Sequence, residues 1–595
     1  MTETSYTIDG NESDASSVTL DNEPDRRELL CEQLRPLSPF VPLPREIVDL
    51  TDDEAINNGD YMTDDLFAVW QADYQAAFAV NRLLEDVCVD GIVYRPGHSV
   101  ELHDGLNRSS YLRICSVWED PRVKDPMGKI FFKGRRLLRT RNHGVMGQPG
   151  EGPRNTYIPT NTEWRNELVW IANVDTDIPL ALVKRFVTIH FTNDCQVKRH
   201  HNINHGSFIC RLKETLKTDT TCASVEYLPH EEADVEYRVA PTILRQEWRG
   251  DTASFGSEEK QTPIIVLDED ENDHIDSAEQ RARRSYTFGD GFCGAGGVSH
   301  GAEAAGVHIK WAFDSSPHAI ETYRQNFLET TCEISAINDF LTNREDHLRV
   351  DITHGSPPCQ TWSPAHTSVG VNDDANSACI FSCSNLIRQA KPRVHTMEET
   401  AGLFERHKRT FYTVLRDFIE TGYSVRWALL RCDKYGVPQS RKRLIIIASG
   451  PGETLPRLPQ PTHGLPGSGL PTPATINQMI SNIPTGTPDH DVESALIRAE
   501  RSQTWREPFD GNRQANTITC NGGENNYHPS GQRKYTLREL ACLQTFPLTF
   551  RFGRVETKKQ IGNAVPPRFA KAIYKEIIRS LQETDEREMR QIHGL

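Results

Sequence analysis

The run Tyr286-Thr287-Phe288-Gly289-Asp290-Gly291-Phe292-Cys293-Gly294-Ala295-Gly296-Gly297 reads as a strand, a glycine-rich turn and the start of a helix. Closely spaced glycines let the backbone turn sharply and let another group approach main-chain atoms. A second unit of this kind follows. The strand-like Val350-Asp351-Ile352-Thr353 runs into Gly355-Ser356-Pro357-Pro358-Cys359-Gln360, which sets a thiol on a proline-stiffened turn. Open α/β sheets place ligands and reactive groups beyond the C-terminal ends of their strands. The two units predict an α/β core, a twisted and mostly parallel sheet flanked by helices, with a site at the strand ends. Taken alone, the second segment equally describes a buried cysteine in a proline turn.

A chain of 595 residues predicts two to four domains. No stretch approaches 18 apolar residues, which argues against a membrane helix. Met1 to Gly10 has neither a basic start nor an apolar run, so it does not read as a secretory signal. The 14 cysteines are scattered with no CxxC pair, which fits reduced thiols inside a cell. The net charge of −16 argues against a nucleic-acid binder until its distribution is considered. Residues 1–75 carry a net −14 and residues 216–284 a net −9, which leaves a body of +7. Phosphate contacts depend on the field at the docking face, so this mildly basic body remains compatible with DNA.

Residues 1–40 are polar, acidic and poor in aromatics, and predict disorder. The rest of the acidic region to residue 85 holds Tyr61, Phe67, Trp70 and Tyr74 and predicts a short helical segment. From 86 to 215, Gly91–Tyr94, Tyr111–Trp118, Lys129–Phe132, Glu167–Trp170 and Phe186–His190 are β-branched and aromatic runs bounded by Gly, Pro and Asp. Cys195, His200, His201, His205 and Cys210 invite a zinc reading, but their spacings fit no common finger and a polar loop is expected, with no metal. An acidic linker is expected over 216–284, the catalytic domain over 285–583 and a tail over 584–595. In residues 46–54 and 263–271, short β-branched runs lie against acids. They suit strand addition to a partner's sheet edge, or are plain solvated acidic stretches.

Three further segments follow the glycine turn and the cysteine turn: Glu398-Glu399-Thr400, Gln439-Ser440-Arg441-Lys442-Arg443 and Gly562-Asn563-Ala564-Val565-Pro566-Pro567. The five, in this order, resemble the cytosine-5 DNA methyltransferase family across about half the chain. The likeness is greatest to the fungal RID-like de novo branch. The 86–215 region resembles a BAH (bromo-adjacent homology) domain. That likeness is carried by Arg113–Trp118, the basic Lys133–Arg139 segment and Glu167-Leu168 with Asp175, Ile178 and Pro179. Residues 46–54 and 263–271 resemble SUMO-interacting motifs.

The resemblance implies a Rossmann-like S-adenosylmethionine-dependent sheet with a small recognition subdomain at about 450–532. It implies a nuclear enzyme that methylates carbon 5 of a flipped cytosine in double-stranded DNA, in de novo methylation and gene silencing. Histones or other chromatin proteins would be partners of the BAH-like domain, and no membrane is involved. The ring is a poor nucleophile until a thiolate adds at carbon 6, so a covalent nucleophile is needed, and Cys359 matches it. Glu398 matches the acid that relieves charge at ring nitrogen 3. Arg441 is expected at the cytosine carbonyl, with Arg443 bracing the site. On the cofactor side the matches are Phe292, Gly294, Gly296, Gly297, Asp314 for ribose hydroxyls, Asp339 for adenine, Asn563 and Val565. Gln439, Arg498, Arg501, Arg506 and Arg513 are the expected DNA-facing residues. Strand alternation from Gln439 to Arg443 would put Gln439, Arg441 and Arg443 on one face.

Two departures stand out. The family triplet is Glu-Asn-Val, so Glu399 adds a second carboxyl. An Asp-x-Arg pair is replaced by Asp374-Ala375-Asn376-Ser377. They leave open a silent chromatin-binding homologue, and an RNA methyltransferase is a further alternative. A dinucleotide reading of the glycine turn fits less well, because the glycines miss the G-x-G-x-x-G register.

Overall fold

The computed structural model describes residues 81–103, 110–125, 127–146, 166–174, 177–196, 206–216, 222–250, 286–342, 347–358, 362, 378–503, 505–522 and 526–593. Several expectations lie outside these: the first 80 residues, the second SUMO-motif-like run at 263–271, His200, His201 and His205, the Asp374–Ser377 departure, and Cys359 with Gln360.

The N-terminal half is a β-rich unit. Its strands are β1 (Arg82–Leu84), β2 (Val87–Val89), β3 (Ile92–Tyr94), β4 (Ser99–Leu102), β5 (Ser110–Glu119), β6 (Ile130–Arg139), β7 (Glu167–Ala172), β8 (Ile178–Pro179), β9 (Val183–Val187), β10 (Ile189–Phe191), β11 (Phe208–Leu216) and β12 (Cys222–Tyr227). The runs read as strands between 91 and 170 each overlap one of these, and Phe186–His190 is divided between β9 and β10. Along β5, Leu112, Ile114 and, past an irregularity between Ile114 and Ser116 that shifts the phase, Val117 are buried against Val100, Phe132 and Ile178. Arg82–Leu84 pairs with Glu119–Val117 as a strand, not a helix.

The expected linker is structured at its start. It supplies β12 and then helix α1 (Pro241–Arg249). Cys195 is half-buried and Cys210 is buried in β11, where burial pushes its thiol far above the usual range.

The C-terminal half begins with β13 (Thr287–Gly291), α2 (Gly297–Glu303), β14 (His308–Asp314), α3 (Pro317–Asn326), β15 (Thr331–Ile334), α4 (Ile337–Leu341) and β16 (Ile352–Gly355). It continues with α5 (Ser382–Ala390), β17 (Val394–Thr400), α6 (Ala401–Arg406), α7 (Lys408–Glu420), β18 (Ser424–Arg431) and β19 (Lys442–Ser449). The strands lie in the order β15-β14-β13-β16-β17-β19-β18. The first five are parallel, and β19 runs antiparallel between β17 and β18. This is the doubly wound α/β arrangement expected from the alternating units.

Residues alternating along β19 build the two layers. Ile445 and Ile447 enter the core shared with Phe288, Val298, Phe569 and Ile573. Leu444, Ile446 and Ala448 enter the core shared with Phe411, Phe418 and Trp427.

The two halves form one continuous sheet. β12 pairs antiparallel with β18, with Cys222 opposite Ala428 and Val225 opposite Val425. This covers an edge that would otherwise present unpaired backbone groups.

The stretch expected to be the recognition region contributes α8 (Ile476–Ile480) and α9 (Val492–Ser502). The chain then closes with α10 (Leu537–Leu543), α11 (Thr557–Asn563) and α12 (Pro567–His593). The expected tail is the end of α12. Asp585 is ion-paired at 2.6 Å with buried Arg393, which also holds Glu453 at 2.8 Å. Glu588 pairs with Arg245 of α1. These pairs tie the C-terminal helix to the N-terminal ends of the sheet and to the segment leaving the β-rich unit. No described helix is long and apolar enough to cross a membrane.

Candidate active site

β13 ends in a turn that only part of the amino-acid alphabet can make. Phe292 has φ 58, Gly294 φ 54 and Gly296 φ 92. A Cβ at Gly297 would lie 2.4 Å from the carbonyl oxygen of Val565. Bare backbone at Gly297 therefore lets the Asn563–Val565 segment close onto the glycine turn, although the two are far apart in sequence. A Cβ at Gly294 would meet nothing within 4 Å, so the turn faces open space.

Asp314, at the end of β14, accepts from Gly294 N at 2.9 Å and from Ser316 N at 2.8 Å. Burial raises its carboxyl above the usual range, and the two N–H bonds oppose that. Its hydrogen bonds within the chain thus brace the glycine turn. Asp339 is exposed in the first turn of α4, beyond the end of β15. Asn563 is exposed and Val565 buried. An open turn with bare backbone, an exposed carboxylate on the next βα unit and an exposed amide opposite suit a ligand bearing hydroxyls, an amine and a carboxylate. The residues present therefore fit S-adenosylmethionine.

Glu398 lies near the C-terminal end of β17, beside Ile445 of β19. Its Oε1 is 2.7 Å from Nε of Arg443, with 7% and 12% of the two side chains exposed. A small, partly open pocket adjoins it, lined by Glu398, Thr396, His354 and Tyr574 among apolar Val298, Ile445, Val565 and Ile573.

Glu399 points the other way and is wholly buried. Its Oε2 accepts from Thr400 N at 3.0 Å, and its Oε1 has no hydrogen-bond partner among the described residues. Burial, and then the neighbouring Glu398, pushes its carboxyl well above the usual range. The fold thus disfavours the charged form of this second carboxyl and keeps it apart from the first.

Gln439 and Arg441 sit differently from expectation, because β19 begins only at Lys442. Gln439 is fully buried, and its amide donates to Leu543 O at 3.0 Å and Gln544 Oε1 at 2.7 Å while accepting from Ile518 N at 3.1 Å. It is a strut rather than a DNA-facing group. Arg441 is 1% exposed. It donates to Ile518 O at 3.0 Å, Gly562 O at 3.2 Å and Ala564 O at 3.1 Å. Its guanidinium therefore clamps the recognition region to α11, and Arg443 is the arginine at the acid.

Arg498 and Arg501 are exposed on α9. Arg506 and Arg513 are exposed too, lying over the rings of Tyr527 and Phe509 at 5.1 and 4.6 Å. Trp505 beside them is 59% exposed.

Sequence reading passed over His354, Thr396 and Tyr574 at the cavity. The available signal was the polar pair Thr353-His354 in one apolar strand and His395-Thr396 in another. The register sets these pairs side by side, Thr353 against His395 and His354 against Thr396.

The family model for the C-5 cytosine-specific DNA methylase matches residues 286–497 and 475–579. The type II methyltransferase M1.HphI of Haemophilus parahaemolyticus is 28% identical, covering 50% of this chain and 87% of that protein. M.NgoFVII of Neisseria gonorrhoeae is 29% identical, covering 48% and 85%. DNA (cytosine-5)-methyltransferase 2 of Arabidopsis thaliana is 30% identical over 33% of this chain and 16% of its own length. Among solved structures, the S. pombe Dnmt2 methyltransferase aligns at 17% identity with a TM-score of 0.36, covering 50% of this chain and 99% of that one.

Proposed function

The chain belongs to the C-5 cytosine-specific DNA methylase family and is a DNA (cytosine-5-)-methyltransferase that uses S-adenosylmethionine, and we propose that it methylates flipped cytosines in duplex DNA through a covalent Cys359 adduct. The supporting observation is the Glu398–Arg443 pair, one strand over from the turn that leads to Cys359. The cofactor supplies an electrophilic methyl group. The thiolate of Cys359 adds to carbon 6. Glu398 holds a proton at ring nitrogen 3 as charge builds there, and Arg443 keeps that carboxyl oriented. The target base must leave the stack for carbon 6 to be reached. Arg498, Arg501, Arg506 and Arg513 present charge from the recognition region to the DNA backbone or base edges.

The β-rich unit is read as a BAH-like chromatin module, and the whole as a nuclear de novo enzyme of the RID-like branch acting in silencing. Residues 46–54 and 263–271 are read as SUMO-binding segments. Titrating labelled SUMO with a peptide of residues 258–275 tests the latter, and unchanged shifts at millimolar peptide reject it. For the activity, purified chain is incubated with labelled S-adenosylmethionine and unmethylated duplex, and the product is sequenced. Methylcytosine is expected. Label without methylcytosine, or none at all, rejects the reading.

A further inference from the structure

His354 lies in β16, 4% exposed. Its Nδ1 is 2.8 Å from Thr396 Oγ1 in β17, and its Nε2 is 2.5 Å from Ser356 Oγ. Thr396 Oγ1 is in turn 2.8 Å from Tyr574 OH of α12. One imidazole therefore joins two strands that carry different parts of the chemistry. Thr396 stands two residues before Glu398 on the same face of β17, since side chains repeat every second residue. Ser356 opens the Pro357-Pro358 turn three residues before Cys359. Its own N–H donates to Gly291 O at 3.3 Å, at the end of the strand that leads into the glycine turn.

Burial pushes His354 down to about 3, so the ring is neutral at any ordinary working pH. A neutral ring donates from one nitrogen and accepts at the other, so both bonds are satisfied in either tautomer. The ring also lines the cavity beside Glu398. His354 and Thr396 are both buried, so water does not replace the bond between them, and a buried polar group without a partner is costly. Pro357 and Pro358 fix their own φ angles, which leaves the backbone at Ser356 as the joint that aims the turn.

We propose that His354 is a positioning residue, holding through Ser356 and Thr396 the turn that bears the nucleophile in register with the strand that bears the acid. The role rests on the cytosine-methylation reading above. It requires no proton transfer to or from the ring. It makes the geometry between nucleophile and acid depend on a side chain that touches neither base nor cofactor.

The test uses the full chain with S-adenosylmethionine and a duplex containing 5-fluorocytosine. Ser356→Ala and His354→Leu are each expected to slow covalent trapping in a single turnover roughly ten- to a hundred-fold, the scale of a small misplacement of reacting groups. For Ser356→Ala, cofactor affinity by calorimetry and KM for DNA should stay within about two-fold, as expected of a residue that acts by aiming the turn. Ser356→Thr keeps the hydroxyl and should restore most of the rate. The double variant should be no slower than the worse single, since both remove one link. Trapping by Ser356→Ala at the wild-type rate, or fully additive losses in the double variant, overturns the proposal.

Should His354→Leu fail to fold, Ser356→Ala, which removes a single oxygen, carries the test. A wild-type chain that forms no adduct contradicts the methylation reading and not the link. The link is then read from the imidazole nitrogen resonances of His354. A shift of the Nε2 signal in Ser356→Ala supports it, and an unmoved signal overturns it.

Discussion

Nε of Arg443 stands 2.7 Å from Oε1 of Glu398, whereas Arg441, two residues earlier, turns into the protein to hold three backbone carbonyls. The two arginines of one short motif thus do different work. Arg443→Ala breaks a buried ion pair beside a pocket, so it should cost some stability, though less than Arg441→Ala, and cut kcat by roughly 10²- to 10³-fold, the scale of losing one preorganised charge partner. Arg441→Ala strands buried carbonyls, and should lower stability by on the order of 3 kcal/mol or more. Denaturant melts beside single-turnover rates separate the two. Equal stability loss in both variants would show that the division of roles is wrong.

Glu398 and Glu399 point to opposite sides of β17, and only Glu398 adjoins the cavity and Arg443. Glu398→Gln should lose about 10²- to 10⁴-fold in rate, the range for a lost general acid. Glu399→Gln puts a neutral group of similar shape where burial already disfavours the charged carboxyl, and should retain near wild-type activity. Glu399→Asn, which restores the family triplet, should keep or raise it. An inactive Glu399→Asn with an active Glu398→Gln would mean that the acid is the second residue.

Asp290 supplies a pH test of the core. It is fully buried in β13, accepts from Ser299 Oγ at 2.6 Å, and is pushed up to about 7, chiefly by burial. Between about pH 4 and 7 the folded chain therefore binds a proton that the unfolded chain has released. By linkage, the stability due to this group is complete below about pH 4 and is lost as pH rises through 7. Asp290→Asn stays neutral and can still accept from Ser299, so its stability should fall less steeply over that window. Part of the slope should remain, because Glu399 and Asp314 are raised as well. The difference should reach a few kcal/mol at most, at about 1.4 kcal/mol per pKa unit. Identical pH profiles of urea midpoints would rule the assignment out.

The α/β core and its strand-end site were legible because local signals agree there: apolar runs, glycine turns and the proline turn all mark β-to-α junctions. Arg441 was misread because the alternation argument assumed a strand from Gln439 onward, and the strand starts at Lys442. The carbonyls that capture its guanidinium come from residues 518, 562 and 564, a long-range contact with no local signature. The end of α12 read as a tail because its exposed face is polar. Its order comes from Arg393 and Arg245, each far away in sequence. β12 was hidden for a similar reason. Its partner is β18 of the other half, and its acidic surroundings suggested a linker.

Cys359 is the residue on which the proposed chemistry depends most. It follows the last described residue of the turn, Pro358, and the strand before it lies between β13 and β17. The glycine turn is carried by β13 and Glu398 by β17, so the strand leading to the thiol runs between the strands of the cofactor and acid sites. Among the described cysteines, those with raised thiols are raised chiefly by burial, as at Cys293, Cys383 and Cys432. Such thiols are poor nucleophiles at neutral pH. Cys520 lies beside Asn563, with its Sγ 2.7 Å from Asn563 Oδ1, but burial raises it too. Cys359→Ala should therefore abolish methyl transfer while cofactor affinity stays within about two-fold, because the thiol acts on the base. A 5-fluorocytosine duplex should trap wild type as an adduct whose tryptic peptide maps to Cys359. Cys520→Ala should trap as wild type does. An adduct mapped to Cys520, or methyl transfer surviving in Cys359→Ala, would move the nucleophile off the proline turn and undo the proposed assignment of roles.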